Sequence, residues 1–114
     1  MRTVNIGVSS IEEEKARTKA AFRGEALGES IAFPSVEAMW SVLTPRRWAL
    51  IQAMAGKGPM SLRAVARMLG RDVKTVHGDV HALLINGVLD RSEAGFEFPY
   101  ERIHVEFDLQ GKAA

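Results

Sequence analysis

Apolar and polar residues alternate over residues 3–8, with Val4, Ile6 and Val8 on one side and Thr3, Asn5 and Gly7 on the other. Period two marks a half-buried strand. Ser10 and Glu13 then have the spacing of a capping box, and the chain from Ile11 to about Ala26 has helical composition. Glu12/Lys15, Glu13/Arg17 and Glu14/Arg17 are spaced to pair on its surface. Its apolar positions (Ile11, Ala20, Phe22, Leu27) share no clean register, so this helix is expected to lean on another chain or on the body of the domain. Residues 24–34, with Gly24, Gly28, Ser30 and Pro34, read as a connector.

From Ser35 the pattern sharpens. Ser35 and residues 38–43 predict a short helix that ends before Thr44-Pro45. Thr44 is an N-cap with Pro45 at the first helical position, and the helix runs to about Ala55 with Trp48, Ile51, Met54 and Ala55 at core-facing spacing. Gly56-Lys57-Gly58-Pro59 stops it. Ser61 caps the next helix, where Leu62, Val65, Ala66 and Leu69 form one stripe and Gly70 follows as a stop. Only Arg71-Asp72 separates it from a third helix that reaches Asn86 and ends at Gly87; Val73, Val76, Val80, Leu83 and Leu84 are its stripe. Residues 88–91, a Ser92-Glu93-Ala94-Gly95 turn and residues 96–98 predict a β-hairpin with a polar tip. Pro99-Tyr100 breaks the pairing. Ile103, Val105, Phe107 and Leu109 then alternate with His104, Glu106, Asp108 and Gln110 in a final amphipathic strand.

Helix, short Gly-containing turn, helix and hairpin, in that order, is an α+β winged helix-turn-helix with an N-terminal strand–helix extension. The expected division is residues 1–34 as a dimerisation arm and residues 35–114 as the winged helix-turn-helix. In the arm, the weakly amphipathic helix and the Val4-to-Val8 strand, paired against the Ile103-to-Leu109 strand, would hold two copies together. Whether that strand pairs within or across subunits stays open.

Composition narrows the function. The 114 residues hold 46% hydrophobic and 25% charged side chains, ordinary for a globular domain, so a disordered polymer or collagen-like chain is excluded. There is no cysteine, hence no disulfide scaffold, thiolate zinc finger or thiol nucleophile. No apolar run approaches a membrane span, and the first residues lack the core of a secretory signal; the expectation is a cytoplasmic protein. The net charge of +1 conceals a segregation: the segment 44–91 has eight basic residues and three acids, or +5, leaving −4 on the rest. A basic middle suits a surface that meets a polyanion on one side.

The third helix carries the candidate chemistry. Opposite its apolar stripe lie Arg71, Lys74, Thr75, Gly78 and Ala82. A helix fits the DNA major groove, and Lys74 and Thr75 are placed to read bases there, with Arg71 at the entrance against a phosphate or a guanine edge. The plainer alternative is that they are solvated surface residues. Ser61 and Arg63 begin the second helix, at the end that faces a phosphate in helix-turn-helix complexes. Arg46 and Arg47 begin the first and offer either phosphate contacts or ion pairs with Glu residues. Arg91, before the hairpin turn, is either a phosphate or minor-groove contact or an exposed strand-end charge. Gly78 in mid-helix costs about 1 kcal/mol relative to Ala and either permits close approach of a backbone or marks a weakened reader. His77 and His81 stand at i, i+4, a spacing that also ligates metals, with His104 as a remote third ligand; the plainer reading has His77 bordering the core stripe and His81 on the surface or DNA side, and both are carried as DNA-side candidates with no metal and no cofactor. No Gly-rich phosphate loop, nucleophile elbow or isolated carboxylate pair supports an enzyme.

Leu43-Thr44-Pro45-Arg46-Arg47-Trp48, Gly58-Pro59-Met60-Ser61-Leu62-Arg63 and the run from Ala66 to Val80 resemble a prokaryotic family of MarR-like winged-helix regulators, some of them similar to TumA-type antitoxins. Residues 83–89, Pro99-Tyr100 and Ile103-His104-Val105 extend the resemblance to about residues 35–109. It implies a homodimeric repressor on operator DNA, including its own promoter, and a cognate toxin as a protein partner. The chain departs from the family pattern at Gly78, where that pattern has Arg.

Overall fold

The computed structural model describes residues 1–22 and 29–112; the expected end of the first helix near Ala26 and the 24–28 part of the connector lie outside the described residues. The opening alternation forms β1 (Thr3–Val8), and a capping bond from the Glu13 amide to Ser10 Oγ at 3.1 Å starts α1 (Ile11–Phe22). β2 (Ser30–Phe33) follows, inside the stretch read as a connector. Ile31 and Phe33 point into the core, but two apolar positions flanked by glycine and proline make too short an alternation to stand out. β2 pairs in parallel with β1, Ile6 opposite Ile31. On its other side β1 pairs in parallel with β5 (Arg102–Glu106), Val4 opposite Ile103. The strand order is β2-β1-β5, so the first strand is the centre of the sheet, and its pairing with the last lies within one chain.

One face of this sheet is apolar and the other polar. Val4, Ile6, Ile31 and Phe33 are buried in the core against α2 (Val36–Val42), from which Met39 projects. On the polar face a cleft of about 330 Å³ lies between α1 and the sheet, and Arg17 Nη2 donates to Ser30 Oγ there at 2.9 Å.

Three helices follow, each begun by a side-chain cap. Thr44 Oγ1 accepts the Arg47 amide at α3 (Pro45–Met54), Ser61 Oγ accepts Ala64 N at α4 (Leu62–Leu69), and Asp72 accepts Lys74 N and Thr75 N at α5 (Val73–Ile85). Gly70 ends α4 in the left-handed region, φ 65°, with its amide bonded back to Arg67. α4 packs on both α3 and α5. Leu50, Ile51 and Met54 of α3, Val65 and Ala66 of α4, and Val76, Val80 and Leu83 of α5 close on the same buried cluster as Val4 and Ile6. The α+β fold therefore has one continuous core, and among the described residues no helix is long and apolar enough to cross a membrane.

The hairpin β3 (Asp90–Ser92) and β4 (Gly95–Glu97) is anchored to the loop before α4: Met60 and Phe96 exchange main-chain hydrogen bonds at 2.7 and 2.8 Å. That contact requires glycine at position 95. Its φ is +131°, and a Cβ there would sit 2.5 Å from the Met60 carbonyl oxygen, a backbone atom that cannot swing away. Gly95→Ala is therefore expected to lower unfolding stability by about 1–3 kcal/mol and to loosen the hairpin from Met60. Urea denaturation gives the loss, and amide hydrogen exchange at Phe96 shows where it falls.

Candidate nucleic-acid interface

The basic middle of the sequence divides into an inward and an outward set. The inward set surrounds Asp79. This carboxylate leaves α5 on its buried side and is 1% exposed, the one buried charged side chain among the described residues. Arg46 takes it with two hydrogen bonds, Nε at 2.8 Å and Nη2 at 2.9 Å, and Arg47 Nε adds a third at 3.1 Å. Burial pushes the Asp79 carboxyl up, but the hydrogen bonds and charges of the two arginines outweigh this and hold it below the ordinary carboxylate range. Arg47 also donates to the Val42 carbonyl at 3.1 Å, so its guanidinium is turned into the protein. The acid these arginines meet is thus an aspartate more than thirty residues away, not one of the glutamates. Arg46 keeps half its side chain in water.

The outward set is different. Arg63 and Arg67 stand one turn apart on α4, and Arg71 follows in the α4–α5 turn. Together with Ala66 and Val73 the three arginines line one depression of about 440 Å³. Arg71 Nη1 reaches the Arg46 carbonyl at 3.3 Å, which fixes its side chain against the start of α3. Arg67 was absent from the sequence-based candidates because an exposed arginine on a helix reads as solvated surface. Its i, i+4 relation to Arg63 is the signal that finds it.

Beside that depression α5 presents Lys74, Thr75, His77, Gly78 and His81, all exposed, with exposed Val73 and Ile85 at the two ends of the helix. The amides of Lys74 and Thr75 are already bonded to Asp72 at 3.1 and 3.3 Å. These two amides are therefore taken by the cap, and a phosphate at this helix end would draw on the side chains beside it. The His77 and His81 rings stack with centroids 6.2 Å apart, and among the described residues no third His, Cys, Asp or Glu joins them in a metal-holding group. Ser61 uses its oxygen as the cap of α4, which leaves the hydroxyl proton free to donate. On the hairpin, Arg91 is exposed with its guanidinium 5.6 Å from the centre of the Phe96 ring, an arrangement that holds the cation at the outer surface of the strand pair. The structure thus brings Arg63 and Arg71 together around one depression, adds Arg67, leaves Lys74 and Thr75 exposed on the α5 turn that follows Val73 of that lining, and turns Arg46 and Arg47 onto Asp79.

The family model HVO_A0114 matches residues 42–105, more than half of the chain. The protein belongs to the HVO_A0114 family. The matched stretch runs from the end of α2 through most of β5, so every candidate residue of the HVO_A0114 interface, from Arg46 to Arg91, falls inside it. No curated protein and no solved structure matches the chain.

Proposed function

We propose that α3, α4, α5 and the β3–β4 hairpin form a winged helix-turn-helix of MarR-like kind. In this reading the protein is a cytoplasmic DNA-binding transcriptional regulator, a homodimeric repressor on operator DNA, and a binding protein rather than an enzyme. The observation that carries the reading is the group of Arg63, Arg67 and Arg71 around one depression beside the exposed face of α5. Three cations on a surface with no acid among the lining residues match a phosphate backbone, and the adjacent α5 face offers Lys74 and Thr75 to base edges. Arg91 extends the basic surface to flanking DNA. A second reading, a protein partner such as a cognate toxin, draws on exposed Val73 and Ile85 on α5.

Fluorescence anisotropy separates the two. The duplex immediately upstream of the gene is titrated against a scrambled duplex at low and near-physiological salt. Preference for the upstream duplex at both salts is the expected result. Equal, weak binding that disappears at physiological salt would remove the regulator reading and leave the protein partner.

Gly78 supplies an independent check. A Cβ at this exposed position meets nothing within 4 Å, so alanine fits there without a clash. Gly78→Ala is expected to raise stability by about 1 kcal/mol, measured by thermal unfolding. Gly78→Arg adds a cation to the proposed groove-facing side. It is expected to tighten DNA binding and, with one added cation per copy of a dimer, to steepen the salt dependence by about two units of slope.

A further inference from the structure

β5 is an edge strand: β1 covers one side, and among the described residues no strand covers the other. The Arg102 amide donates to the Arg2 carbonyl at 3.2 Å, toward β1. Alternation along a strand then turns the main-chain groups of Ile103 and Val105 outward, to the open edge. Such an edge is a template for another strand unless its side chains forbid one. Here they select one. Read outward from His104, the strand is apolar on both sides (Ile103, Val105) and then carries opposite charges, Arg102 and Glu106. An antiparallel second copy with its two-fold axis at His104 places each Arg102 opposite the Glu106 of the other copy. Ile103 then exchanges hydrogen bonds with Val105. A parallel copy would set like charges against each other and could not close.

Exposed apolar side chains also lie near the edge. Trp40 of α2 is 58% exposed and packs edge-on to Phe107, ring centres 6.2 Å apart, while Val105 is 39% and Leu109 75% exposed. Exposed tryptophan beside an open strand is the composition of an interface centre rather than of solvated surface. β2, the opposite edge, carries no charges to direct pairing.

We propose that two copies of this chain associate through antiparallel β5–β5 pairing about His104, giving a continuous six-stranded sheet of order β2-β1-β5-β5-β1-β2. The inference rests on the dimeric part of the proposed function and not on DNA binding. Sedimentation velocity over the micromolar range tests it. The wild-type chain is expected to sediment as a dimer. Val105→Pro removes an outward amide that β1 does not use and is expected to leave a folded monomer. Glu106→Arg opposes Arg102 with a like charge at two symmetric places and is expected to weaken the dimer roughly tenfold; Arg102→Glu combined with Glu106→Arg restores it to within about threefold.

A wild-type monomer at high micromolar concentration overturns the proposal, as does a dimer unmoved by both single variants or a double variant that fails to recover. If circular dichroism shows Val105→Pro unfolded, the charge exchange decides, because Arg102 and Glu106 are both exposed. Anisotropy of the wild type with DNA in the same buffer keeps the two readings apart. A dimer that ignores DNA removes the regulator and leaves this interface standing; a monomer that binds DNA does the reverse.

Discussion

Replacing Asp79 with alanine is expected to cost about 3 kcal/mol of folding stability at neutral pH. Loss of one partner from a buried ion group typically costs about 3–5 kcal/mol, because the charge left behind is neither paired nor hydrated. The three members are not equally buried. Arg46 is 54% exposed and regains water when the carboxylate goes; Arg47, at 20%, regains little and keeps only main-chain acceptors. That asymmetry selects the lower end of the range. The same variant should alter the acid response. Asp79 titrates below its ordinary value in the folded chain, so its contribution is fully present above the unfolded carboxylate pKa, about 3.9. It is lost as the pH falls through the folded value. Urea denaturation of both proteins at descending pH should therefore show a gap that is constant from neutrality to about pH 5 and narrows below pH 4. A gap that stayed constant into acid would mean the carboxylate is not what holds α3 to α5.

The triad also shows what sequence could and could not reveal. α3, α4 and α5 were legible because each is punctuated locally: Thr44 with Pro45, Ser61 with Gly70, Asp72 with Gly87. The hairpin and the alternation in β1 were legible for the same reason, since a period of two is visible in a handful of residues; the alternation expected to run to Leu109 pairs only as far as Glu106, where β5 ends and β1 offers no further partner. β2 was not, because Ile31 and Phe33 acquire their meaning only from β1 alongside them. Asp79 follows His77-Gly78 on a helix whose exposed face is polar, and nothing nearby in sequence marks it as buried; its partners lie in α3. Arg46 and Arg47 read as phosphate contacts or as partners of glutamates for the same reason. Ion pairs between distant elements are written in the tertiary structure, whereas caps and stripes are written in neighbouring residues. The candidate interface was therefore half legible: helix position alone nominates Arg63, Arg71, Lys74 and Thr75. Arg67 stands i, i+4 from Arg63 but reads as solvated surface until the depression sets it beside Arg63 and Arg71.

Removing that arginine group is the change with the largest expected effect on the proposed activity. Each phosphate neutralised releases counterions and adds about 0.9 to the slope of log affinity against log salt. Arg63, Arg67 and Arg71 are three cations per copy, hence six in the proposed dimer on two half-sites. Arg63→Ala, Arg67→Ala and Arg71→Ala together should flatten the slope by about five units and weaken binding about a thousandfold at near-physiological salt. Scrambled and upstream duplexes should suffer alike, because phosphates carry no sequence. Lys74→Ala with Thr75→Ala should do the opposite: overall affinity falls less, while the preference for the upstream duplex drops by about 1–3 kcal/mol per lost base contact. Both sets are exposed, apart from half-buried Arg71, and none of the five belongs to the buried core cluster, so folding should be little changed and anisotropy titrations at several salt concentrations read the contrast directly. If the arginine variant kept the full salt slope, the phosphates would have to meet another surface, and the depression between α4 and α5 would no longer support a DNA-binding role. If the two variants lost affinity and preference in the same proportion, α5 would be contributing charge alone, and the sequence reading assigned to Lys74 and Thr75 would fall while the binding reading stood.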